Sequence, residues 1–336
     1  MDITTSQAAV GGVIVAAKRR RRRVSGKLAW IVVAPFAAWA TARVAGLERG
    51  SFFTQIMTAT PYAAAGSLGA LLLAVLSRRR GVLAVAVATT AAFAVGVLPR
   101  VAPSAQAAAD GPTLRVLSTN LLFGHADADA VVELVRRLRP DVVSTQELTP
   151  SAVLELDDAG LKELMPYRIL QDEYSARGSG LYARYPLTEI PGLFRVIGHN
   201  MPAASMTLPG GAQVQIVDVH TYPPLGRQVT AWTDGLRNLP SAMSSGPYRV
   251  LVGDFNASLD HGELRKVVER GYVDAGDVTG KGLIPTWPAN KRVPPLITID
   301  HVLADQRLAV TSYEVHTLPR TDHRAIFAEL RLPGGN

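Results

Sequence analysis

The segment Val250–Ser258 places a carboxylate and a carboxamide directly after a short apolar run that is long enough for one buried strand. Gly253 ends the run, and Asp254 and Asn256 follow with Phe255 between them. On an extended backbone the two polar side chains point to one side and the phenylalanine to the other. Such a pair at the carboxyl end of a core strand can hold a phosphate, a metal ion or an attacking water. Gly, Asp and Asn also form turns, so the G-D-x-N pattern taken alone favours a turn.

Polar residues of the same kinds stand at the ends of other predicted strands and not in their middles. A turn explains any one of them, but six such strand ends together indicate a common site. The residues outside the G-D-F-N segment are Asn120 after VLST, Glu147 after DVVSTQ, His220 after IVDV, Asp300 and His301 within ITIDHVLA, and Asp322 and His323 before RAIF.

The elements that must position these residues are short apolar runs separated by helical or turn stretches, beginning at Leu114. Asp129–Leu138 carries apolar residues at helical spacing. About 225 residues are enough for two packed sheets with flanking helices. The predicted strands are Leu114–Ser118, Asp141–Ser144, Val214–Val219, Val250–Val252, Ile297–Leu303 and Ala325–Leu330.

The charges are divided unevenly along the 336 residues. Residues 1–110 carry 13 of the 35 Lys and Arg but only three of the 28 Asp and Glu, which leaves a net charge of +10 there and −3 on residues 111–336. A protein that binds nucleic acid by neutralising phosphates usually carries its positive charge on the binding domain, and residues 111–336 do not. No cysteine is present, which excludes disulfides, zinc-thiolate sites and cysteine nucleophiles.

Three apolar stretches in the first 110 residues are each close to the ~20 residues that a membrane-spanning helix needs. The alternative is that they are buried helices of a soluble protein, but their near lack of charge favours spans. Arg43 lies near one end of the first stretch, where it can reach the interface. The predicted spans are Leu28–Leu47, Gln55–Ser77 and Gly81–Pro99.

The positive-inside rule gives the orientation, because Lys18–Arg23 and Arg78–Arg80 should both be cytoplasmic. The loop Glu48–Phe53 and everything after residue 100 should then be outside. Ala102–Asp110 is a small-residue linker whose A-Q-A also resembles a signal-peptidase site, so cleavage near Ala107 is an open alternative that exports the rest all the same. We expect a basic cytoplasmic tail at 1–27, an anchor at 28–99, a linker at 100–112 and an extracytoplasmic domain at 113–333.

At this point the chain resembles the endonuclease/exonuclease/phosphatase superfamily, whose members include DNase I-like nucleases, inositol polyphosphate 5-phosphatases and bacterial sphingomyelinases. The resemblance implies a four-layer α/β sandwich, with two β-sheets packed face to face and helices outside. It covers nearly all of residues 114–332. The matching segments are VLSTN, QE, GSGLYARYPL, DVHTYPP, GDFNAS, IDHVL and TDHRAI.

The resemblance also implies a metal-dependent hydrolase of phosphoester or phosphoanhydride bonds. Glu147 resembles the main Mg²⁺ ligand, with Mn²⁺ as a substitute, because a hard cation prefers carboxylate oxygen. Asp322 resembles a second ligand. Asn120 is expected to orient Glu147 or to touch the metal or the phosphate.

The remaining site residues resemble the family's catalytic groups. Asp254 corresponds to the residue that positions or deprotonates the attacking water, and Asn256 is expected to donate to a phosphate oxygen. His220 is expected to bond the phosphate and to protonate the leaving oxygen. His323, paired with Asp300, is expected to lie beside the scissile phosphate as an imidazolium.

Two departures from the family pattern matter. Several nucleases carry an acid where this chain has Leu122, so we expect one Mg²⁺. His301 stands where relatives often have an aromatic residue and is expected to be structural.

His125, His199, His261 and His316 have no motif around them and are expected on the surface or in the core. Three residues of the Gly-rich segment either reach substrate or simply pack: Arg177, Tyr182 and Arg184.

The membrane anchor limits the substrate, since a lipid phosphate needs an enzyme at the membrane and a soluble nucleic acid does not. The layout also resembles the VanJ-type teicoplanin-resistance membrane proteins of actinomycetes. That resemblance implies dephosphorylation of undecaprenyl pyrophosphate outside the cell. The slight negative charge of residues 111–336 separately argues against a nucleic acid as partner. The alternatives are a tethered extracellular nuclease, a phospholipase C or sphingomyelinase-like phosphodiesterase, and a non-catalytic sensor, which the filled catalytic positions argue against. The sequence leaves the oligomeric state open.

Overall fold

The computed structural model describes residues 24–289 and 293–334. The predicted basic cluster Lys18–Arg23 and the tail before it lie outside these ranges. The described chain begins with a helical bundle and continues into an α/β domain.

Three helices of the bundle are long and apolar enough to cross a membrane. A fourth, short helix lies between the first and second of them, where the sequence predicts one continuous span from Gln55 to Ser77. That prediction is wrong at its start, because Pro61 in the first turn of α3 has no N–H to donate to the Met57 carbonyl, which accepts from Thr60 Oγ1 instead. The helices are α1 (Gly26–Ala45), α2 (Gly50–Met57), α3 (Thr60–Ser77) and α4 (Arg80–Val97).

Small side chains hold the three long helices together. Ala29 of α1, Ala74 of α3 and Ala86 of α4 are buried against one another, which lets the backbones approach closely. Large side chains such as Ile31 and Val95 point outward and are exposed. An apolar outer face around a small-residue interior is typical of helices that lie in lipid.

The described part of the α/β domain contains twelve strands and six further α-helices. The strands are β1 (Thr113–Asn120), β2 (Val142–Gln146), β3 (Tyr167–Gln171), β4 (Ser179–Ala183), β5 (Leu187–Glu189), β6 (Ala203–Thr207), β7 (Gln213–His220), β8 (Tyr248–Asp254), β9 (Tyr272–Asp274), β10 (Asp300–Asp305), β11 (Ala309–Thr317) and β12 (Arg324–Arg331). The helices are α5 (Ala128–Leu138), α6 (Pro150–Asp158), α7 (Leu161–Leu164), α8 (Val229–Asn238), α9 (Gly262–Val268) and α10 (Ala275–Val278).

The strands form two six-stranded sheets, ordered β11-β12-β1-β2-β4-β3 and β5-β6-β7-β8-β10-β9. Near the centre of each sheet lies one parallel pair, β1 with β2 and β7 with β8, and the other pairs are antiparallel. One core of Val, Leu, Ile and Ala side chains fills the space between the sheets. Separate cores lie under α5–α7 on the first sheet and under α8 and α9 on the second. This confirms the predicted four-layer α/β sandwich.

The six predicted strands correspond to β1, β2, β7, β8, β10 and β12, and α5 matches the predicted helix. The strand predicted from Ile297 begins only at Asp300, because Ile297 forms an isolated bridge with Trp287 instead. The other strands and helices of the α/β domain were not predicted from the sequence. Most of the missed strands are three to five residues long, and their apolar runs are correspondingly short.

Gly253 occupies a backbone position that a side chain cannot share. Its φ is +144°, and an added Cβ would collide with the carbonyl oxygen of Val219 on the neighbouring strand. We predict that Gly253→Ala lowers stability by about 3 kcal/mol, since strain and a backbone clash add. A loss of this size lowers the unfolding temperature by roughly 10 °C in a domain of this size.

Gly210→Ala is the matched control, because Gly210 also has a positive φ, +96°, but open space where its Cβ would lie. It carries the backbone strain without the clash, and we expect a loss of only about 1 kcal/mol. Equal shifts of the unfolding temperature in the two variants would contradict the steric account.

Candidate active site

The two parallel strand pairs bring the predicted site residues to one edge of the sandwich. Asn120 pairs with Gln146, the residue before Glu147, and His220 pairs with Asp254. Asp254 also pairs with Asp300 across the antiparallel β8–β10 ladder. Because each residue ends or begins its strand, the side chains converge where the two sheets meet.

Asn120 lies between two carboxylates. Its Nδ2 donates to Glu147 Oε1 at 3.1 Å and to Asp254 Oδ2 at 3.2 Å, while its Oδ1 accepts from the backbone N–H of Leu122. The amide oxygen is therefore engaged, and the amide hydrogens face the acids. This geometry suits the orienting role expected for Asn120 better than direct contact with a metal.

Glu147 has a strained backbone, with φ at +56°. The backbone N–H of Phe123 donates to its Oε2 at 2.8 Å. Burial raises the pKa of Glu147 and the nearby charge of Asp322 adds to the rise, whereas the hydrogen bonds from Asn120 and Phe123 oppose it. The charge of His323 also opposes the rise in pKa, and burial outweighs these opposing contributions.

The G-D-F-N segment is both a turn and part of the site. The backbone N–H of Asn256 donates to Asp254 Oδ1 at 2.8 Å, and Phe255 is buried under the second sheet. The Nδ2 of Asn256 donates to the Thr221 carbonyl at 3.0 Å and lies 3.3 Å from Asp254 Oδ2. Donation to a phosphate oxygen, as the sequence predicts for Asn256, requires it to exchange one of these partners.

His323 and Asp300 form the predicted pair, with Nδ1 lying 3.1 Å from both carboxylate oxygens. Its Nε2 lies 3.7 Å from Asp254 Oδ2. Burial alone would lower the pKa of His323, but the charges of Asp300 and Asp254 outweigh burial and raise it to about 10. His323 is therefore an imidazolium at neutral pH.

His220 has the opposite character. Burial, reinforced by the neighbouring rings of His199 and His323, lowers its pKa well below the ordinary value, so its imidazole is neutral. Its Nε2 lies 3.7 Å from Asp254 Oδ2. The site thus holds one cationic and one neutral histidine on either side of Asp254, a division of acid and base states typical of active sites.

The donor atoms fit a divalent cation. Asp254, Asp300 and His323 offer ligand atoms within 4.8 Å of one another. A protonated imidazole cannot coordinate a metal, however, and His323 is already bound to Asp300. A hard cation prefers carboxylate oxygens. The predicted ligands Glu147 and Asp322 supply such oxygens, and Asp322 also accepts from Trp287 Nε1 at 3.2 Å.

Sequence reasoning missed the buried polar groups behind the site. Asp218, two residues before His220, accepts from Gln146 Nε2 at 2.7 Å and from the backbone of Gly180. It ties β7 of one sheet to β2 and β4 of the other. His199, expected on the surface or in the core, packs against His220 with ring centroids 4.0 Å apart and the ring planes tilted by 49°. No local pattern marks His199, whereas Asp218 was visible in the D-V-H segment.

The structure places three other candidate residues in structural or surface positions. His301 bonds Asp274 Oδ2 at 2.7 Å and the Ala257 carbonyl at 2.8 Å, as expected of a structural residue. Tyr182 is fully buried beneath α5–α7 and packs without reaching the site. Arg177 is exposed and pairs with Glu173 at 3.8 Å.

The buried carboxylate of Asp254 should lower stability as the pH rises. Burial raises the pKa of Asp254 to about 7, with His323 opposing and Asp300 adding to the rise. Between pH 4 and 7 the unfolded chain releases this proton while the folded chain keeps it, so folding loses up to about 1.4 kcal/mol per pH unit. We predict that Asp254→Asn, in metal-free buffer, gains unfolding temperature over the wild type progressively from pH 4 to 7.

The matched control is Asp158→Asn, which changes an exposed carboxylate at the end of α6. Its unfolding temperature should stay at a fixed offset from the wild type between pH 4 and 8. A gain for Asp254→Asn that does not change with pH would contradict the raised pKa.

Comparisons with known proteins agree with this fold. A solved endonuclease/exonuclease/phosphatase structure from Beutenbergia cavernae is 17% identical, with a TM-score of 0.50 over 66% of this chain and 72% of that one. D. rerio TDP2 complexed with a single-strand DNA product is 18% identical, with a TM-score of 0.50 over 65% and 99%. Truncated Caenorhabditis elegans TDP2 is 14% identical, with a TM-score of 0.50 over 65% and 97%.

A search of the curated proteins found none that matches this chain. The pattern of the Endonuclease/Exonuclease/phosphatase family matches residues 117–323, which is more than half of the chain and includes every predicted site residue. Enzymes of this family are metal-dependent phosphodiesterases or phosphatases. The chain therefore belongs to the endonuclease/exonuclease/phosphatase family.

Proposed function

We propose that this protein is a membrane-anchored, Mg²⁺-dependent phosphohydrolase that acts outside the cell on the phosphate of a membrane lipid. The preferred substrate is undecaprenyl pyrophosphate, whose dephosphorylation recycles the cell-wall lipid carrier. The membrane is thus both the location of the enzyme and the source of its substrate.

The observation that carries the proposal is where the anchor touches the domain. One end of the bundle contacts three loops that lead to or from catalytic strands: the loop after His220, the loop after Asp254 and the loop before Asp300. A simple tether has no need of these contacts. They are Ser51 Oγ with the Pro224 carbonyl at 2.9 Å, Arg43 Nε with Asp260 Oδ1 at 2.7 Å, and Tyr62 Oη with the Leu296 carbonyl at 2.7 Å.

A cavity of about 230 Å³ at this junction supports a lipid substrate. Its apolar lining consists of Pro61 and Tyr62 of α3 and of Leu283, Leu296 and Ile297 of the domain. Polar and charged residues, among them Arg100 and Asp260, complete the wall. An apolar cavity of about 150 Å³ is enough to bind benzene, so this volume accommodates a short segment of hydrocarbon chain. It lies at the end of the apolar helices, where the chain of a bilayer lipid would enter.

The charge distribution supports the same choice. Residues 111–336 carry a net charge of −3, which opposes binding of a long polyanion. A single pyrophosphate group needs only local compensation. The His323 imidazolium and a bound cation supply that at the site.

The reaction would proceed by attack of water on the terminal phosphorus. Asp254 would accept the proton of the water as the new P–O bond forms. The bond between this phosphorus and the bridging oxygen would break, releasing inorganic phosphate and leaving the lipid monophosphate. The His323 imidazolium would stabilise the developing charge on the phosphoryl oxygens. His220, being neutral, would donate one N–H bond to the phosphate instead of acting as a strong acid.

Glu147 and Asp322 would hold the metal, which when bound supplies charge neutralisation on the phosphoryl oxygens. Asn120 would orient the carboxylates of Glu147 and Asp254 by donating one amide hydrogen to each. Leu122 offers no carboxylate for a second ion, in keeping with a single Mg²⁺. The same arrangement accepts Mn²⁺, which also prefers oxygen ligands.

The resemblance to VanJ-type proteins adds the biological setting. It rests on the order of a basic tail, three spans and a hydrolase domain, and not on a sequence motif specific to those proteins. It implies an extracytoplasmic active site and a contribution to teicoplanin resistance through recycling of the lipid carrier. Both belong to the proposal.

The direct test measures inorganic phosphate released from undecaprenyl pyrophosphate by the purified full-length protein with Mg²⁺. We predict release that EDTA abolishes and that Asp254→Ala lowers by about 10²- to 10⁴-fold, the usual range for loss of a general base. Asp158→Ala, an exposed carboxylate on the same domain, is the control and should retain full activity.

Three outcomes would contradict the proposal. Cleavage of plasmid DNA without phosphate release would point to a tethered nuclease. Release of phosphocholine or another headgroup would point to a phospholipase C-like enzyme. Absence of any hydrolysis by a folded, metal-loaded sample would favour a non-catalytic role.

A further inference from the structure

The loop between β8 and α9 links the active site to the membrane anchor. It follows Asp254, the last residue of β8, and it includes Asn256. It ends with Asp260 and His261, and His261 is five residues beyond Asn256. Its far end is buried, with Asp260 1% exposed and His261 fully covered. The residues that cover this end come from the helical bundle and not from the α/β domain alone.

Asp260 receives two arginines from separate parts of the anchor. Arg43 of α1 donates from Nε to Oδ1 at 2.7 Å. Arg100, in the turn that follows α4, donates from Nη2 to Oδ1 at 2.8 Å and from Nη1 to Oδ2 at 3.0 Å. All three side chains are buried. A single carboxylate of the catalytic loop therefore joins the ends of the first and last long helices.

His261 makes a second connection. Its Nε2 lies 2.8 Å from the Thr54 carbonyl of α2, and its Nδ1 accepts from the backbone N–H of Ser258 at 2.9 Å. The ring packs edge-on against Trp232, whose Nε1 donates to the backbone carbonyl of Asn256 at 3.1 Å. A continuous path of contacts thus runs from the anchor to the backbone of a candidate catalytic residue.

Further contacts reinforce this junction. Glu48, in the loop between α1 and α2, accepts from the backbone N–H of Gly262, the first residue of α9. Arg265 of α9 donates to the carbonyls of both Asp260 and Arg43. The sequence predicts only that Arg43 reaches the membrane interface. Its partner lies 217 residues further along the chain.

We propose that Asp260, Arg43 and Arg100 are positioning residues for the hydrolysis, so that the membrane anchor holds the catalytic loop in its working conformation. The anchor is then a structural part of the active site as well as a membrane attachment. This inference rests on the family's hydrolase chemistry and does not depend on which phosphate is the substrate.

The physical reason is the cost of an unpaired buried charge. Removing one partner of a buried ion pair leaves the other without compensation, which is strongly unfavourable. The loop can relieve that cost only by moving Asp260, or the arginines, toward water. Because Asn256 lies four residues from Asp260, such a movement displaces the turn that holds Asp254.

The test compares the full-length wild type with Arg100→Ala and with Asp260→Asn, which keeps the shape of the side chain but removes its charge. We expect kcat for bis(p-nitrophenyl) phosphate and for undecaprenyl pyrophosphate to fall at least tenfold while KM changes less than threefold. We also expect faster hydrogen exchange in residues 255–261, measured by mass spectrometry, with exchange in β1 and β12 unchanged. Asp260→Glu, which restores the charge, should recover part of kcat.

Arg237→Ala is the matched control. It removes a bidentate pair of the same kind, with Glu263 of α9 at 2.8 and 2.9 Å, but Arg237 is exposed and this pair does not involve the anchor. We expect wild-type kcat and loop exchange for this variant.

Wild-type exchange in residues 255–261 of a folded Arg100→Ala protein would overturn the proposal even if neither substrate is cleaved. So would an unchanged kcat where activity is measurable. Loss of activity toward the lipid alone, with the soluble diester still cleaved at the wild-type rate and normal loop exchange, would also overturn it. Failure of the wild type to cleave undecaprenyl pyrophosphate would instead count against the proposed substrate, and the exchange experiment would still decide the role of the anchor.

Discussion

The convergence of buried carboxylates at one edge of the two sheets is the constraint on which the rest of the site depends. Asp254 pairs in register with Asp300, and Asn120 bridges Asp254 to Glu147. Removing these acids from water is costly unless positive charge or hydrogen-bond donors compensate for it. The imidazolium of His323 supplies part of that positive charge. Because it does not compensate fully, burial still raises the pKa of Asp254 to about 7. The same deficit that strains the protein makes the site suitable for a divalent cation and for a base near neutral pH.

The helical bundle extends this organisation beyond the α/β domain. Its end contacts the loops next to three catalytic strands, and the buried carboxylate of Asp260 joins two of its helices to the catalytic loop. The linker is also fixed, since the side chain of Gln106 exchanges two hydrogen bonds with the backbone of Val310 on β11. In the proposed membrane-anchored enzyme, these contacts would limit how the domain turns relative to the membrane. That limit is one reason for proposing a substrate that the membrane presents.

The sequence predicted the fold, and it singled out residues that the structure brings together, because the signals were local. The apolar run Val250–Val252 predicted β8, the Val- and Ile-rich stretch Val214–Val219 predicted β7, and the polar residues at their ends pointed to Asp254 and His220. Short strands such as β5, at the edge of its sheet, lacked that signal. The break before α3 was hidden in a continuous apolar stretch. The contact of His199 with His220 and the pairing of Arg43 with Asp260 depend on tertiary proximity, which no spacing along a single chain reveals.

The most direct test of a membrane-presented substrate is hydrolysis in vesicles of mixed composition. The full-length protein is reconstituted in one vesicle population, and undecaprenyl pyrophosphate is placed either in the same vesicles or in a separate population at the same bulk concentration. We predict that the rate of hydrolysis depends on the mole fraction of undecaprenyl pyrophosphate in the bilayer that holds the enzyme. Substrate in the separate vesicles should not be hydrolysed. Equal hydrolysis of both populations would contradict it, because the active site would then work without the membrane that holds it.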